Sequence, residues 1–258
     1  MNEDLLDAVA DAVRAADTTV ALSGAGVSTA SGIPSFRGED GLWNEWDPNA
    51  FHRRRLDADP AGFWADRLDL RATLTDGDPE PNAAHDALAA MEADGHLDAV
   101  LTQNVDGLHT AAGSQRVVEL HGTNRRVRCD DCGATEPAEP VFARAVEAVG
   151  DDTGPRATGL PPRCDCGGVY RPDVVLFGES LADAVLEEAQ RLARESDVLL
   201  AVGSSLSVRP AALLPRIAVD AGATLVVVNF DETPRDDAAD YLFREDVTAF
   251  LPALSARL

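Results

Sequence analysis

The chain of 258 residues is 45% hydrophobic and carries 45 acidic against 22 basic residues, a formal net charge of −23. This length suits one large domain or two unequal domains with a substantial core. Direct nucleic-acid binding is not expected, because it depends on Lys and Arg neutralising phosphates. No apolar run reaches the roughly 18 residues that a membrane-spanning helix needs, so no membrane association is expected.

All 22 basic residues are arginines, and lysine is absent from the sequence. An acidic surface without lysine suits a cytoplasm of very high salt, where the repulsion between like charges is screened. The composition therefore predicts a halophilic source, a haloarchaeon, and the alternative is an acidic protein from a GC-rich genome. The acidic N-terminus lacks the pattern of a signal peptide, which predicts a cytoplasmic protein.

The first predicted unit is an amphipathic helix at residues 4–16, followed by a buried strand at 18–22 and a glycine-rich turn at 23–28. A strand that turns through glycines into a helix brings backbone N–H groups close to a phosphate. Thr29 stands where a dinucleotide fingerprint has its third glycine, so the fingerprint is weak. The turn is still the best phosphate-site candidate, and an ordinary tight turn is the alternative.

A loop rich in Gly and Pro follows at residues 31–38 and contains Phe36 and Arg37. Such a loop is expected to lie over the end of the sheet, where an arginine can pair with a diphosphate and an aromatic ring can exclude water. Residues 42–81 then form an insertion that contains all three tryptophans. This insertion needs a small core of its own or packs over a cleft.

Two further short apolar runs, at residues 97–101 and 117–120, predict buried strands. Gln103, Asn104 and Asp106 follow the first of these strands, and His121 follows the second. Polar groups at the carboxyl ends of such strands lie where open α/β sheets bind ligands. His121 is well placed for proton transfer near neutral pH, and the alternative is a capped turn with a structural histidine.

The four cysteines form two close pairs about 30 residues apart, and a glycine follows each pair. Thiolates at this spacing predict a tetrahedral zinc ribbon, since disulfides are disfavoured in a cytoplasmic protein. All four zinc positions are then filled by protein, so the metal should be structural. The predicted ligands are Cys129, Cys132, Cys164 and Cys166.

The C-terminal half predicts buried strands at 174–177, 197–202 and 224–228, with helices at 181–195, 209–221 and 245–256. A second glycine–hydroxyl turn, residues 203–205, follows one strand, and Asn229 follows the next. Alternating strands and helices indicate an α/β fold with a doubly wound parallel sheet. The polar turns should therefore share one rim of that sheet.

These motifs resemble one family, the sirtuins, which are NAD-dependent protein lysine deacylases. They appear in family order and cover nearly the whole chain. The matching segments are residues 24–28, 32–37, 102–106, 121–122, the two cysteine pairs, 174–179, 203–205 and 229. The resemblance implies a discontinuous Rossmann-like domain at 1–45, 82–122 and 173–258. A smaller inserted domain at 46–81 and 123–172 would hold a helical module and the zinc ribbon.

The resemblance implies that NAD and an acyl-lysine meet in a cleft between these domains, and that NAD is consumed as a co-substrate. The peptide would add as a strand between 178–179 and 207–208. The implied NAD-binding residues are Gly24, Ala25, Gly26, Ser28, Phe36, Arg37, Gln103, Asn104, Asp106, Gly203, Ser204, Ser205, Asn229 and Val247. The implied substrate contacts are Val175, Phe177, Gly178, Glu179 and Val208.

The implied catalytic residues are His121 and Asn104. The acyl oxygen attacks C1′ of the nicotinamide ribose, nicotinamide departs, and His121 deprotonates a ribose hydroxyl that attacks the resulting imidate. Water then yields free lysine and O-acyl-ADP-ribose. The substrates would be acylated lysines of cytoplasmic or chromatin proteins, acted on by a monomeric enzyme.

The resemblance leaves two kinds of acyl group open. The branch of the family that removes succinyl or malonyl groups uses a Tyr-x-x-Arg pair, and Trp64 and Arg67 have this spacing here. Arg67 could pair with an acyl carboxylate, or it could be a surface arginine paired with an acid. Deacetylation is favoured, and the alternatives are desuccinylation, demalonylation and mono-ADP-ribosyl transfer. A zinc-ribbon binding module and an oxidoreductase fit the motifs less well.

Overall fold

The computed structural model describes residues 1–36, 41–75, 77–149 and 159–258. Arg37 lies outside the described residues. No helix in these ranges is both long and apolar enough to span a membrane. The described helices are α1 (Glu3–Ala15), α2 (Arg53–Ala58), α3 (Pro60–Leu74), α4 (Ala83–Ala93), α5 (Leu108–Ala111), α6 (Ala138–Val149), α7 (Asp183–Glu195), α8 (Leu214–Ala221) and α9 (Val247–Ser255). The described strands are β1 (Thr19–Ser23), β2 (Ala99–Thr102), β3 (Val117–Glu119), β4 (Gly122–Cys129), β5 (Thr135–Pro137), β6 (Tyr170–Val174), β7 (Val198–Val202), β8 (Thr224–Val228) and β9 (Tyr241–Phe243).

A six-stranded parallel sheet with the order β3-β2-β1-β7-β8-β9 forms the centre of the larger part of the molecule. The strand order reverses between β1 and β7, which is the topological switch point where such sheets bind ligands. Helices α1, α4 and α9 pack on one face, and α7 and α8 pack on the other. The predicted α/β fold with a doubly wound sheet is confirmed.

The strands of this sheet are apolar throughout because both faces are covered. Alternate residues of one strand serve the two cores. Ala21 of β1 packs with α1, α4 and α9, while Val20 and Leu22 pack on the opposite face. Helix α1 begins where the Asn2 side chain accepts a hydrogen bond from the backbone N–H of Leu5.

The smaller part contains an antiparallel sheet with the order β5-β4-β6, together with α2, α3 and α6. Its core includes Phe63, Trp64, Phe142 and Tyr170. The indole N–H of Trp64 donates to the carbonyl of Tyr170 at 2.7 Å. The insertion of residues 42–81 therefore helps to build the core around the cysteine module, and its first half contributes Phe51 and Trp43 to a fourth apolar cluster.

Three of the predicted elements differ from the structure in their type, their partner or their start. The strand expected at 174–177 is β6, which ends at Val174 and pairs with β4 outside the parallel sheet. The turn after β1 continues as two 3-10 turns, Ala25–Val27 and Thr29–Ser31, instead of an α-helix. The helix expected at 209–221 begins with a 3-10 turn, and α8 starts only at Leu214, followed by Pro215. The residue boundaries predicted for the two domains remain a prediction.

Candidate active site

A cavity of about 550 Å³ opens at the carboxyl ends of β1, β2, β7 and β8, against the residues that follow β6. Polar turns and aromatic residues of the fourth apolar cluster line it. The predicted site residues that line it are Gly24, Ala25, Gly26, Phe36, Arg67, Gln103, Asn104, His121, Val175, Phe177, Gly178, Glu179, Gly203, Ser204, Ser205, Val208, Asn229 and Val247.

The turns after β1 and β7 are in direct backbone contact at the switch point. The N–H of Gly26 donates to the carbonyl of Gly203 at 2.9 Å. A Cβ on Gly24 would lie 2.7 Å from the carbonyl oxygen of Gly203. Gly203 itself has φ of 58°, a conformation that residues with a side chain rarely adopt. Glycine is therefore required at both turns, and the cavity has a floor of main chain that a flat or anionic ligand group can approach closely.

Asn104 is oriented by the protein itself. Its side-chain amide nitrogen donates to the carbonyl of Gly24 and to the hydroxyl of Ser28, each at 3.1 Å. Ser28 in turn donates to a carboxylate oxygen of Asp106 at 2.9 Å. Because both amide hydrogens are engaged by protein, Asn104 presents its side-chain carbonyl oxygen as the group left for a ligand. Ser28 and Asp106 thus support Asn104 from behind and are not on the cavity wall.

Two buried histidines extend this polar network beneath the floor. Nδ1 of His85 accepts the backbone N–H of Asn82 at 3.2 Å, so the proton of neutral His85 is on Nε2, 3.4 Å from the Ser28 hydroxyl. The ring of His109 lies 4.8 Å from that of His85, and its Nε2 lies 2.8 Å from the Ser23 hydroxyl. Burial lowers the pKa of His85, and burial together with the nearby His85 lowers the pKa of His109 to about 3. Both rings are neutral at pH 7.

His121 lies on the cavity wall with its tautomer set by the main chain. Its Nδ1 is 3.0 Å from the carbonyl oxygen of Gln103, which can only accept a hydrogen bond. In the neutral ring the proton is therefore on Nδ1, and Nε2 has the lone pair that a general base needs. The carbonyl of His121 accepts the N–H of Val175 at 2.9 Å, which ties the histidine to the opposite wall.

The segment after β6 is held by an ion-pair cluster. The guanidinium of Arg171, which is 2% exposed, donates two hydrogen bonds to Glu179 at 2.5 and 2.6 Å. Glu179 also accepts the N–H of Leu176 at 2.9 Å. Although burial acts to raise it, the hydrogen bonds from Arg171 hold the pKa of Glu179 below its usual value. Arg53 joins the cluster by pairing with Asp130 and by donating its backbone N–H to Phe177. The charge of Glu179 is therefore already neutralised within the protein.

Arg67 is buried at the cavity. Its guanidinium donates to the side-chain oxygen of Asn124, and its Nε has no hydrogen-bond partner in the described part of the chain. No carboxylate pairs with Arg67 within the ranges that the structure describes. Burial, reinforced by the charge of Arg71, lowers the pKa of Arg67 to about 10, so the side chain is still a cation at pH 7. The surface arginine considered from the sequence is ruled out by this burial.

The four cysteines come together as predicted. Their sulfur atoms all lie within 4.8 Å of one another, with Cys129 and Cys166 at 3.5 Å and Cys132 and Cys164 at 3.8 Å. These separations are too long for disulfides, whereas a tetrahedral zinc about 2.3 Å from each sulfur gives sulfur–sulfur distances of about 3.8 Å. A Cβ on Gly168 would lie 2.7 Å from the Cys129 sulfur, so this knuckle has room only for glycine. The donor set fits one structural zinc that fastens β4 to the loop before β6.

Three predicted site residues are not on the cavity wall. Ser28 and Asp106 act through Asn104, and Trp64 is fully buried in the core of the smaller part. The predicted substrate contact of Trp64 is therefore not supported, because its ring packs beside Phe142 and its N–H bonds the main chain. Sequence reasoning gave no role to Asn124 and Arg209, which do line the cavity. Their only sequence signal is position, since each lies within a few residues of a predicted site residue.

The fold and the cysteine cluster define a class: an α/β protein with a Rossmann-like sheet, a ligand cavity at its switch point and a Cys₄ metal module. Residues 24–210 match the Sir2 family, and the chain belongs to that family. An "NAD-dependent protein deacetylase" of Haloarcula marismortui is 69% identical over 99% of this chain and 95% of its own length.

Solved structures of Sir2 proteins agree with this assignment. One, described as Sir2 with a p53 peptide and NAD⁺, is 37% identical, has a TM-score of 0.81 and covers 95% of this chain and 94% of its own. Another, with a deacetylated p53 peptide and 3′-O-acetyl-ADP-ribose, is 35% identical with a TM-score of 0.85 and covers 97% of both chains. The family predicted from the sequence motifs is confirmed, and the Haloarcula relative is consistent with a haloarchaeal source.

Removing zinc should destabilise the smaller part of the molecule. At free zinc about a thousandfold above its Kd, binding stabilises the folded state by about 4 kcal/mol, or roughly 8–16 °C in Tm for a chain of this size. We expect one zinc per chain by elemental analysis, and a fall in Tm of this order after treatment with a zinc chelator. A calcium-selective chelator is the control, and an unchanged Tm after complete zinc removal would contradict the structural role.

His109 should make the protein sensitive to acid. Its folded-state pKa of about 3 lies below the unfolded value of about 6.5, so stability is complete above pH 6.5 and is lost as the pH falls towards 3. We expect the unfolding free energy of His109→Gln to fall less steeply than that of the wild type, by about 1.4 kcal/mol per pH unit near pH 4.5. The measurement is denaturant unfolding at several pH values. The partly exposed His96 provides the control variant, His96→Gln, and parallel curves for His109→Gln and wild type would refute this role.

Proposed function

We propose that this chain is an NAD-dependent protein lysine deacetylase, which transfers the acetyl group of acetyl-lysine to ADP-ribose and releases nicotinamide. The observation that supports this most directly is the 3.0 Å contact between Nδ1 of His121 and the carbonyl of Gln103, which assigns the role of base to Nε2, in a cavity that the glycine turns also line. A protein that merely binds a dinucleotide has no need of a base oriented in this way. Family membership and the names of the relatives support the same reaction.

We assign the residues that line the cavity to the different parts of NAD. The diphosphate would lie against the main chain of the first glycine turn, where no side chain intervenes. The adenosine half would lie at Gly203, Ser204, Ser205, Asn229 and Val247, which also line the cavity. Gln103 and Asn104 would hold the nicotinamide ribose, and the side-chain oxygen of Asn104 is available to accept a hydrogen bond from a ribose hydroxyl.

The proton transfer is the step that the protein performs directly. Once nicotinamide has left, Nε2 of His121 accepts the proton of a ribose hydroxyl, and the freed oxygen attacks the carbon of the acyl group. The carbonyl of Gln103 stabilises the imidazolium that forms, because it already accepts the hydrogen on Nδ1. Water then completes the release of lysine, so the acetyl group ends on ADP-ribose.

The peptide would add as a strand between Gly178 and Val208, both of which line the cavity. Val175 and Phe177 would flank the acyl-lysine side chain. Glu179 has a different proposed role from the one implied by the family resemblance, because its carboxylate is committed to Arg171 and Leu176. It would shape the wall without binding the ligand through its charge.

The biological setting is proposed from composition and relatives. A cytoplasmic, halophilic, monomeric enzyme acting on acetylated lysines of other proteins fits a lysine-free chain with a net charge of −23. Mono-ADP-ribosyl transfer would use the same NAD site with another nucleophile, and the masses of the products distinguish the two reactions. The predicted domain division, with residues 46–81 and 123–172 as the small domain, remains part of this proposal.

A second candidate reaction, removal of an acyl group that ends in a carboxylate, is favoured by Arg67. A buried cation without a counter-ion is unfavourable unless an anion joins it. Arg67 lines the cavity with an unpartnered Nε, so a succinyl or malonyl carboxylate would supply the missing partner. The alternative occupant is a water molecule, which leaves acetyl-lysine as the substrate.

Loss of the base should stop deacetylation without unfolding the protein. We expect His121→Ala to lower turnover of an acetyl-lysine peptide by about 10²–10⁴-fold, the usual contribution of a positioned base. The measurement is formation of deacetylated peptide and O-acetyl-ADP-ribose by mass spectrometry, with circular dichroism as the check on folding. His96→Ala is the matched control, since His96 is not on the cavity wall. Near-normal turnover in a folded His121→Ala protein would refute the assigned role.

Arg67 should decide between acyl groups. If a carboxylate pairs with it, Arg67→Met will reduce kcat/KM for succinyl-lysine by 10-fold or more, since a charge-assisted hydrogen bond contributes about 1.5–3 kcal/mol. Acetyl-lysine turnover would be spared or increased. Both peptides are compared on the folded variant and the wild type. Loss of neither activity, or loss of acetyl-lysine turnover alone, would argue against an acidic acyl pocket.

A further inference from the structure

Arg209 is an exposed arginine on the rim of the cavity that has no partner in the described part of the chain. It lines the cavity, yet it makes neither a hydrogen bond nor an ion pair there. In a chain with 45 acidic residues, most of the described arginines do pair with carboxylates or carbonyl groups. A cation left unpaired beside a ligand cavity is therefore available to a ligand.

The position of Arg209 favours the peptide end of the cavity. It directly follows Ser207 and Val208, whose backbone N–H groups form no hydrogen bond with described residues. These are the groups that an added strand would use. The carbonyl of Val208 accepts the N–H of Ala212 at 2.8 Å, which anchors this segment to the 3-10 turn at Ala211–Leu213. Arg209 thus extends from a fixed backbone next to the proposed path of the peptide.

The carboxylates on the cavity wall do not neutralise the charge of Arg209. Glu179 is neutralised by Arg171, as described above. Asp231 and Glu245 also line the cavity, but they neighbour Asn229 and Val247 in the sequence, at the end proposed for adenosine. The peptide end of a strongly acidic protein therefore presents a positive charge.

We propose that Arg209 recognises an acidic side chain beside the acetyl-lysine of the substrate, so that the enzyme prefers acetyl-lysines flanked by Asp or Glu. This inference rests on the proposed deacetylase function and adds a specificity-determining residue to it. A guanidinium can bind a carboxylate through two parallel hydrogen bonds, which rewards Asp or Glu over a neutral side chain. A charge on the rim also speeds association at low salt, and this benefit declines as salt screens it.

The test compares three acetyl-lysine peptides that differ only at one flanking position, which is Glu, Gln or Arg. The comparison is repeated for each of the two positions before and the two positions after the acetyl-lysine. At the lowest salt at which circular dichroism shows native protein, we expect kcat/KM to favour Glu over Gln by about three- to fivefold at one position, the upper range for an exposed ion pair. The preference should shrink in molar salt. Arg209→Gln should abolish it, and Arg209→Glu should reverse it in favour of Arg.

Arg54 supplies the matched control. Its side chain is also exposed and its guanidinium has no partner among the described residues, but it does not line the cavity, so Arg54→Gln should keep the wild-type preference. Wild-type enzyme that deacetylates all three peptides equally would overturn the proposal and leave the deacetylase function intact. So would an Arg209→Gln variant that keeps the preference, or one that raises only the KM for NAD. Failure to deacetylate any peptide would instead refute the proposed function itself.

Discussion

The site depends on one close contact, the packing of the glycine turn after β1 against the glycine turn after β7. Because β1 and β7 are parallel neighbours, their carboxyl ends reach the same level, and a Cβ on Gly24 or Gly203 would force the two main chains apart. The turn after β2 is joined to them through Gln103, whose side-chain amide donates to the Ser204 hydroxyl at 2.8 Å. Three separate loops thereby form one rigid floor, and preorganisation of this kind lowers the entropic cost of ordering a ligand.

Beneath that floor, a chain of hydrogen bonds connects the backbone at the start of α4 to the side chain of Asn104 on the cavity wall. The N–H of Asn82 at the start of α4 determines which nitrogen of His85 is protonated, and this leaves the Ser28 hydroxyl free to donate to Asp106. The Ser28 hydroxyl in turn accepts a hydrogen bond from the side-chain amide of Asn104. The network operates only while the histidines are neutral, and burial keeps them so. Helix capping and ligand binding are therefore linked by the same few hydrogen bonds.

Features that depend on local chemistry were predictable from the sequence, and those that depend on packing between distant segments were not. Five of the six strands of the large sheet, the glycine turns, His121 and the four cysteines each have a short-range pattern, and the structure brings them together as expected. The edge strand β9 was not predicted. Trp64 was misplaced because its spacing to Arg67 suggested a shared pocket. One helical turn separates these side chains, and they face different surroundings. The apolar run at 174–177 was assigned to the wrong sheet, since apolarity indicates burial but not which partner a segment packs against.

Three arginines around the cavity show how a lysine-free, acidic protein uses positive charge. Arg171 is buried and paired with Glu179, so it holds the cavity wall in place. Both Arg171 and Arg53 also pair with Asp130, which is next to the predicted zinc ligand Cys129. Among the residues that the structure describes, the buried Arg67 and the exposed Arg209 both lack a counter-ion. The guanidinium of Arg54 also lacks a partner among the described residues, but Arg67 and Arg209 differ from it because they line the cavity. These two cavity-lining cations therefore indicate where an external anion would contribute most to binding, at the acyl end and at the flank of the peptide.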